Sequence, residues 1–218
     1  FGLLAAARRG LYRSGWLSSW RLTVPVVVVG NITVGGTGKT PLVLWLAQFF
    51  RERGYSPGIV SRGYGAAESA PCAVTPLSDP AQSGDEPLLL ARRSGCPVWV
   101  GRDRVAAAQA LLRAEPQCDV LLCDDGLQHY RLRRDAEIAV VDGTRGFGNG
   151  WLLPAGPLRE GVGRLRSVDA VVVNGVGEIN GYAMTLAGAT FRSLADPAVT
   201  ASAADFFGKK AAAVAGIG

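Results

Sequence analysis

Gly35-Gly36-Thr37-Gly38-Lys39-Thr40 lies between a β-branched run, Val26–Val29, and an amphipathic segment, Pro41–Arg53. A strand, a glycine turn and a helix in that order leave few folds open. The turn's N–H groups converge on one point, the helix N-terminus adds partial positive charge there, and so apolar a strand is expected to be buried on both faces. The hexapeptide reads as a phosphate cradle in which Lys39 reaches the outer phosphates and the Thr40 hydroxyl can ligate Mg²⁺. It departs from the strict G-x-x-x-x-G-K-[ST] pattern, because Thr33 takes the first glycine position. Lysine is scarce in this chain, with only Lys209 and Lys210 besides Lys39, so its presence in the loop is informative.

Beyond the loop, strand-like and helix-like segments alternate. The pattern predicts strands at Gly58–Val60, Pro97–Val100, Val120–Cys123, Glu137–Val141, Val168–Val173, Ala183–Leu186 and Ala211–Val214. Helices are predicted over Glu86–Arg93 and Arg102–Ala114, and a loop over Ala66–Ser83. The fold class is therefore α/β, a P-loop NTPase-like, mostly parallel sheet flanked by helices. Ligands of such sheets sit outside the carboxyl ends of the strands, where the out-of-place Gly, Asp, Arg and Asn residues gather.

Val120-Leu121-Leu122-Cys123-Asp124-Asp125 is an apolar strand ending in two carboxylates. Beside a phosphate loop, such a strand end supplies a direct or water-mediated ligand for the nucleotide's Mg²⁺; without one it is a plain turn. Gln128, His129 and Tyr130 follow, and His129 is the only histidine, so a zinc site built on paired histidines is excluded. Ser83-Gly84-Asp85-Glu86 opens a helix, and spacing alone favours Asp85 as a cap over a general base. The segment from Gly146 to Glu160 is dense in Gly, Pro and aromatic residues, which suits the floor of a pocket.

The excess of 23 basic over 18 acidic residues, a formal charge of +5, is almost all arginine and points to anionic partners. Cys72, Cys96, Cys118 and Cys123 lack C-x-x-C spacing and read as free thiols. No run approaches the ~20 apolar residues that span a bilayer. Residues 1–22 do resemble a helix lying on one: Tyr12, Trp16 and Trp20 recur at i, i+4 and i+8 among Arg8, Arg9, Arg13 and Arg21. An ordinary helix packed on the core explains the same pattern. The expected division is thus a surface helix, 1–22, and a P-loop domain, 23–218.

Taken together, Gly30-Asn31, the loop through Pro41, Ser-Arg-Gly-Tyr-Gly at 61–65, Gly-Asp-Glu-Pro at 84–87, Asp-Asp-Gly-Leu-Gln-His at 124–129 and the run ending Leu-Leu-Pro-Ala-Gly-Pro-Leu-Arg-Glu resemble the tetraacyldisaccharide 4'-kinase family of lipid A biosynthesis. The resemblance implies transfer of the ATP γ-phosphate, with Mg²⁺, to the 4'-hydroxyl of a tetraacyldisaccharide 1-phosphate. It places that reaction at the cytoplasmic face of the bacterial inner membrane, with a lipid rather than a nucleic acid as partner. By position it makes Asp85 the base and Gly35, Gly36, Thr37, Gly38, Lys39 and Thr40 the ATP loop. Thr40, Asp124 and Asp125 become the Mg²⁺ side, and Arg62, Tyr64, Gln128, His129, Asn149, Arg159 and Glu160 surround nucleotide and disaccharide. Gly161 stands where the family pattern has proline. Family members also continue past residue 218 with a histidine that assists the aspartate base, so the chain is expected to be part of a longer product.

Two rivals remain. One is a nucleotide-hydrolysing switch of the partition-ATPase or GTPase kind, which lacks support in Val34, where a signature lysine would stand, and in Asn174-Gly175, where N-K-x-D would. The other is an inactive nucleotide-binding membrane adaptor.

Overall fold

The structure, a computed structural model, describes residues 2–63, 70–186, 188, 190–193, 195–196, 198–210 and 212. The chain forms two compact units, Phe1–Met184 and Thr185–Gly218. In the first, α1 (Gly2–Arg13) precedes β1 (Val26–Gly30), α2 (Lys39–Glu52), β2 (Pro57–Ser61), β3 (Cys72–Val74), α3 (Pro80–Ser83), α4 (Asp85–Ser94) and β4 (Val98–Val100). Then come α5 (Arg104–Ala114), β5 (Val120–Asp124), β6 (Ala136–Asp142), β7 (Ala170–Asn174) and β8 (Tyr182–Met184). The strands make one sheet in the order β3-β4-β2-β5-β1-β6-β7-β8. Every pairing is parallel except that of β3 with β4.

The central strands read as unbroken apolar runs because both faces are covered. Val28, Leu121 and Cys123 point to the layer containing Leu111 of α5, Leu127 and Leu158. Val29 and Leu122 point to Leu42, Val43 and Leu46 of α2 and to Leu90 of α4. Alternate residues of one strand thus serve opposite cores.

Three expectations need correction. The loop predicted for 66–83 carries β3 and α3; β3 is only three residues long, too short for alternation to register. The N-terminal helix stops at Arg13, because Gly15 takes φ +79° and its N–H donates to Tyr12 O at 3.3 Å, a left-handed helix end. Tyr12, Trp16 and Trp20 therefore do not share one helical face. Trp20 instead pairs with Leu132 in an isolated parallel bridge. Ala183–Leu186 is realised as Tyr182–Met184, while the strand predicted at Ala211–Val214 falls outside the described residues except for residue 212.

In the second unit, β9 (Thr190–Arg192) and β10 (Thr200–Ser202) form an antiparallel pair. Phe191 meets Phe206 edge-on at 5.0 Å between ring centroids. The pair has no counterpart in the sequence reading. No disulfide joins the cysteines among the described residues, and Cys118 and Cys123 are buried. No described helix is long and apolar enough to cross a membrane.

Candidate functional site

β1 lies in the middle of the sheet between β5 and β6, and its carboxyl end delivers the chain to residues 31–40 at the sheet's C-terminal edge. None of the amides from Gly35 to Thr40 is hydrogen-bonded to another group among the described residues. Six open donors run into the N-terminus of α2, whose cap residue, Gly38, has no capping side chain. Three of the five buried polar atoms without a partner among the described residues lie here: Asn31 Oδ1, Thr37 Oγ1 and Asp124 Oδ1. Buried polar atoms are nearly always satisfied, so their clustering marks a place built for something else to bind.

Gly38 adopts φ +94°, and a Cβ there would lie 2.7 Å from Asn174 Nδ2 and 2.9 Å from Met184 Cε. Asn174 Nδ2 donates to Thr37 O at 3.2 Å, so the end of β7 braces the loop. Gly38→Ala is expected to cost about 1–2 kcal/mol from the left-handed backbone and to push Asn174 off Thr37. Thermal unfolding and ATP titration check this, and unchanged ATP affinity would show that the bracing is dispensable.

The adjacent aspartates at the end of β5 have opposite environments. Asp124 is 1% exposed, and its Oδ2 accepts from Ser61 Oγ at 3.2 Å. Burial, then the negative charge of Glu86, push its pKa up to about 6 against the pull of Lys39. Asp125 has φ +50°, uncommon outside glycine. Its carboxylate is 3.5 Å from Lys39 Nζ and accepts from Arg159 Nη1 at 3.3 Å. Burial alone would raise its pKa, but Lys39 and then Arg159 overcome that and hold it below the usual carboxylate range. Two neighbouring carboxylates are thereby set apart, one engaged by cations and one with an oxygen to spare.

Arg159 is aimed by a loop pinned far from its own sequence neighbours. Val34 N–H donates to Pro157 O at 2.8 Å and Arg159 N–H to Ile32 O at 2.7 Å, while Leu158 is buried in the core. The Gly/Pro/aromatic segment thus closes against the residues just before the phosphate loop. Asn149 braces it, donating to Ala155 O at 2.9 Å and accepting from Trp151 N–H at 3.1 Å.

Asp85 is the first residue of α4, whose cap is Gly84, with no side-chain capping bond. The capping role favoured by spacing is not realised. The carboxylate is exposed and has no hydrogen-bond or ion-pair partner among the described residues. Because α4 leads into β4, which is parallel to β2, its N-terminus lies at the same C-terminal edge as the phosphate loop. The influence of its neighbour Glu86 on Asp124 agrees with that placement.

Glu160 is 7% exposed and accepts from Gln128 Nε2 at 3.0 Å and from Tyr130 OH, with Arg164 Nε 3.8 Å away. Gln128 also donates to Asn31 O at 2.9 Å. These two side chains tie the strand-end loops together rather than presenting free groups to a ligand. Arg62 is exposed after β2, whereas Tyr64 lies outside the described residues. Asn31, Ser61 and Glu86 lie inside the motif runs but drew no role of their own from the sequence, and neither did Asn174; a polar residue at the end of an apolar strand is the signal for Asn31, Ser61 and Asn174, while Glu86, in the first turn of α4, carries none.

His129 Nε2 accepts from the Arg104 N–H at 3.3 Å. Burial, then the charge of Arg104, push its pKa down to about 4. The folded state therefore binds fewer protons than the unfolded state between the ordinary value of 6.5 and about 4, and this histidine's contribution to stability falls as pH drops through that window. Asp124, raised from 3.8 to about 6, acts in the opposite sense, losing its contribution as pH rises. His129→Gln keeps an acceptor for Arg104 and is expected to flatten the acid-side loss. Denaturation midpoints at neutral and mildly acid pH test this, and an unaltered slope would place the sensitivity elsewhere.

The oxygen donors fit a small hard cation. Asp124 Oδ1 is buried without a partner among the described residues, and Thr40 lies in the first turn of the helix that follows the loop. No cluster of three or more His, Cys, Asp or Glu suited to a metal occurs among the described residues. Mg²⁺ beside a triphosphate needs only one or two protein oxygens, with waters and phosphates completing the octahedron.

A mostly parallel sheet covered on both faces, with an open glycine-lysine loop after one of its middle strands, defines the class of P-loop nucleoside-triphosphate-binding proteins. Within that class the chain belongs to the tetraacyldisaccharide-1-P 4'-kinase family, LpxK, whose sequence model matches residues 1–218. It is 56% identical over 225 residues to a tetraacyldisaccharide 4'-kinase of Azoarcus sp. (strain BH72) and 57% identical over 225 residues to one of Chromobacterium violaceum. Each match covers 100% of this chain and 66% of the relative, so the chain spans just under two thirds of their length. It also resembles the crystal structure of LpxK from Aquifex aeolicus in complex with ATP, with a TM-score of 0.74 and 30% identity, covering 84% of this chain and 60% of that one.

Proposed function

We propose that the protein transfers the γ-phosphate of ATP to the 4'-hydroxyl of a tetraacyldisaccharide 1-phosphate, working peripherally at the cytoplasmic face of the inner membrane. The observation that carries this reading is the row of open amides from Gly35 to Thr40 on the same sheet edge as the Asp85 carboxylate, which has no partner among the described residues. Family membership supports it against a hydrolytic switch.

The amides of the loop and the α2 N-terminus would receive the β- and γ-phosphates. Lys39, already 3.5 Å from Asp125, would shift its charge toward the phosphate oxygens as they arrive, leaving Asp125 to Arg159. Asp85 would orient the acceptor hydroxyl and take its proton during in-line transfer, where positioning and charge neutralisation lower most of the barrier. Thr40 and Asp124 are the residues that would hold Mg²⁺, which supplies neutralisation of the bridging phosphate charge. Asn31, Asn174 and Gln128 keep the loop in register. For the membrane, Trp16 is 83% and Trp20 48% exposed among Arg8, Arg9 and Arg13, a pairing of aromatic and cationic groups suited to a lipid headgroup layer.

The test is to incubate the protein, expressed from its full reading frame, with γ-labelled ATP, Mg²⁺ and the lipid disaccharide in detergent. Label in the lipid is the expected result. Label only in free phosphate would identify a hydrolytic switch, and bound but unconsumed ATP an inactive adaptor.

A further inference from the structure

At the opposite, N-terminal edge of the sheet, a cavity of about 360 Å³ opens between α1 and the connections into β6 and β7. Its basic wall comes from Arg9 and Arg13 of α1 and from Arg133, with Tyr12, Tyr130 and Ser167 between them. The proposed transfer makes no use of this place.

Charge balance shows what it lacks. Glu137 is taken by Arg134 at 2.8 Å and Arg164 at 2.6 Å. Asp135 accepts from the Val26 N–H at 2.9 Å and faces Arg21 at 3.7 Å. Asp169 accepts the Glu137 N–H at 2.7 Å and has no cation among the described residues. Against that one carboxylate stand three guanidinium groups. Arg9 donates only to Ser167 Oγ, at 2.7 Å, and the side chains of Arg13 and Arg133 have no hydrogen-bond or ion-pair partner among the described residues. Several forked donors around a cavity of this size match a phosphate oxygen set.

The surroundings say where that phosphate comes from. Trp20 is pinned beside the cavity, its N–H donating to Arg131 O at 2.7 Å and its carbonyl accepting from Arg133 N–H at 2.9 Å. Its half-exposed ring follows Ser19 of the cavity lining, an aromatic side chain beside arginines as found at the headgroup level of a bilayer; Trp16 and Leu17, a few residues earlier in the chain, are exposed as well. The substrate's own phosphate is a poor candidate. The seven residues of β6 put roughly 20 Å between this edge and the phosphate loop. Helix α1 runs along the same flank: Ala5 and Ala6 border a second cavity with Glu160, and Arg13 borders this one.

We propose that the Arg9–Arg13–Arg133 cavity grips the phosphate of an anionic membrane phospholipid, fixing the far end of α1 to the bilayer while the site at its other end faces the lipid substrate. This rests on the membrane-surface reading of the function. The test compares Arg13→Gln/Arg133→Gln with the charge-matched pair Arg8→Gln/Arg166→Gln, exposed arginines that do not line the cavity. Both are measured by sedimentation with vesicles of phosphatidylethanolamine and phosphatidylglycerol. Arg13 and Arg133 are exposed, so both proteins are expected to fold.

The expected result is that the cavity pair weakens vesicle binding about tenfold more than the control pair, since a bidentate grip adds to the general attraction of arginine for an anionic surface. Equal losses in the two pairs would overturn the proposal in favour of diffuse attraction. In detergent micelles free of phospholipid, the cavity pair should transfer phosphate with wild-type kcat and KM. A raised KM for the disaccharide there would assign the cavity to the substrate's own phosphate and overturn it as well. A wild-type protein that binds vesicles with this difference but phosphorylates no disaccharide would sink the kinase reading while supporting the cavity.

Discussion

Asp85→Asn is expected to lower kcat by a factor of about 10²–10⁴, the range a positioned general base contributes, while ATP affinity stays nearly unchanged. Asp85 opens α4 at the sheet's ligand-binding edge, exposed and without a partner among the described residues, and it performs none of the capping work that would explain it structurally. An asparagine keeps the size and the backbone and removes only the proton-accepting charge. Turnover and ATP titration on the same preparation decide the matter. A variant retaining most of its turnover removes Asp85 from the chemistry, and one that loses ATP binding in parallel makes it a nucleotide ligand.

Lys39→Ala should be damaging in a different way. Its side chain is 11% exposed and its ammonium is 3.5 Å from Asp125, so removal takes charge from the phosphate site and leaves Asp125 with Arg159 alone. Loss of one preorganised charge-stabilising donor typically costs 10²–10³ in kcat, and here ATP affinity should fall too, because the same ammonium meets the ground-state phosphates. Arginine should not rescue it, since a planar fork does not replace a compact ammonium in so confined a place. A variant with weakened ATP binding but normal kcat at saturation would limit Lys39 to uniform binding.

The contrast between these two residues shows what the amino-acid sequence makes legible. Lys39 belongs to a contiguous motif between a β-branched strand and an amphipathic helix, and both neighbours could be read locally. The central strands were equally legible, because burial on both faces leaves an unbroken apolar signature. Asp85 needed the family resemblance to rise above an ordinary helix start, since nothing local distinguishes a base from a cap. Ser61, Glu86 and Asn174 stayed hidden because each acts through a partner more than 30 residues away, a pairing no spacing encodes. Glu160 shows the converse. The resemblance assigns it to a ligand, yet it is engaged by Gln128 and Tyr130. β9 and β10 escaped notice because their three-residue strands are mostly exposed and carry no alternation.

A crystal structure of the protein with Mg²⁺, a non-hydrolysable ATP analogue and the acylated disaccharide would probe the account most directly. The expected geometry has the analogue's outer phosphates on the amides of residues 36–39 and the sugar's 4'-oxygen within about 3 Å of the Asp85 carboxylate. Phosphates seated elsewhere, or a sugar oxygen held by some other base with Asp85 turned to solvent, would contradict it.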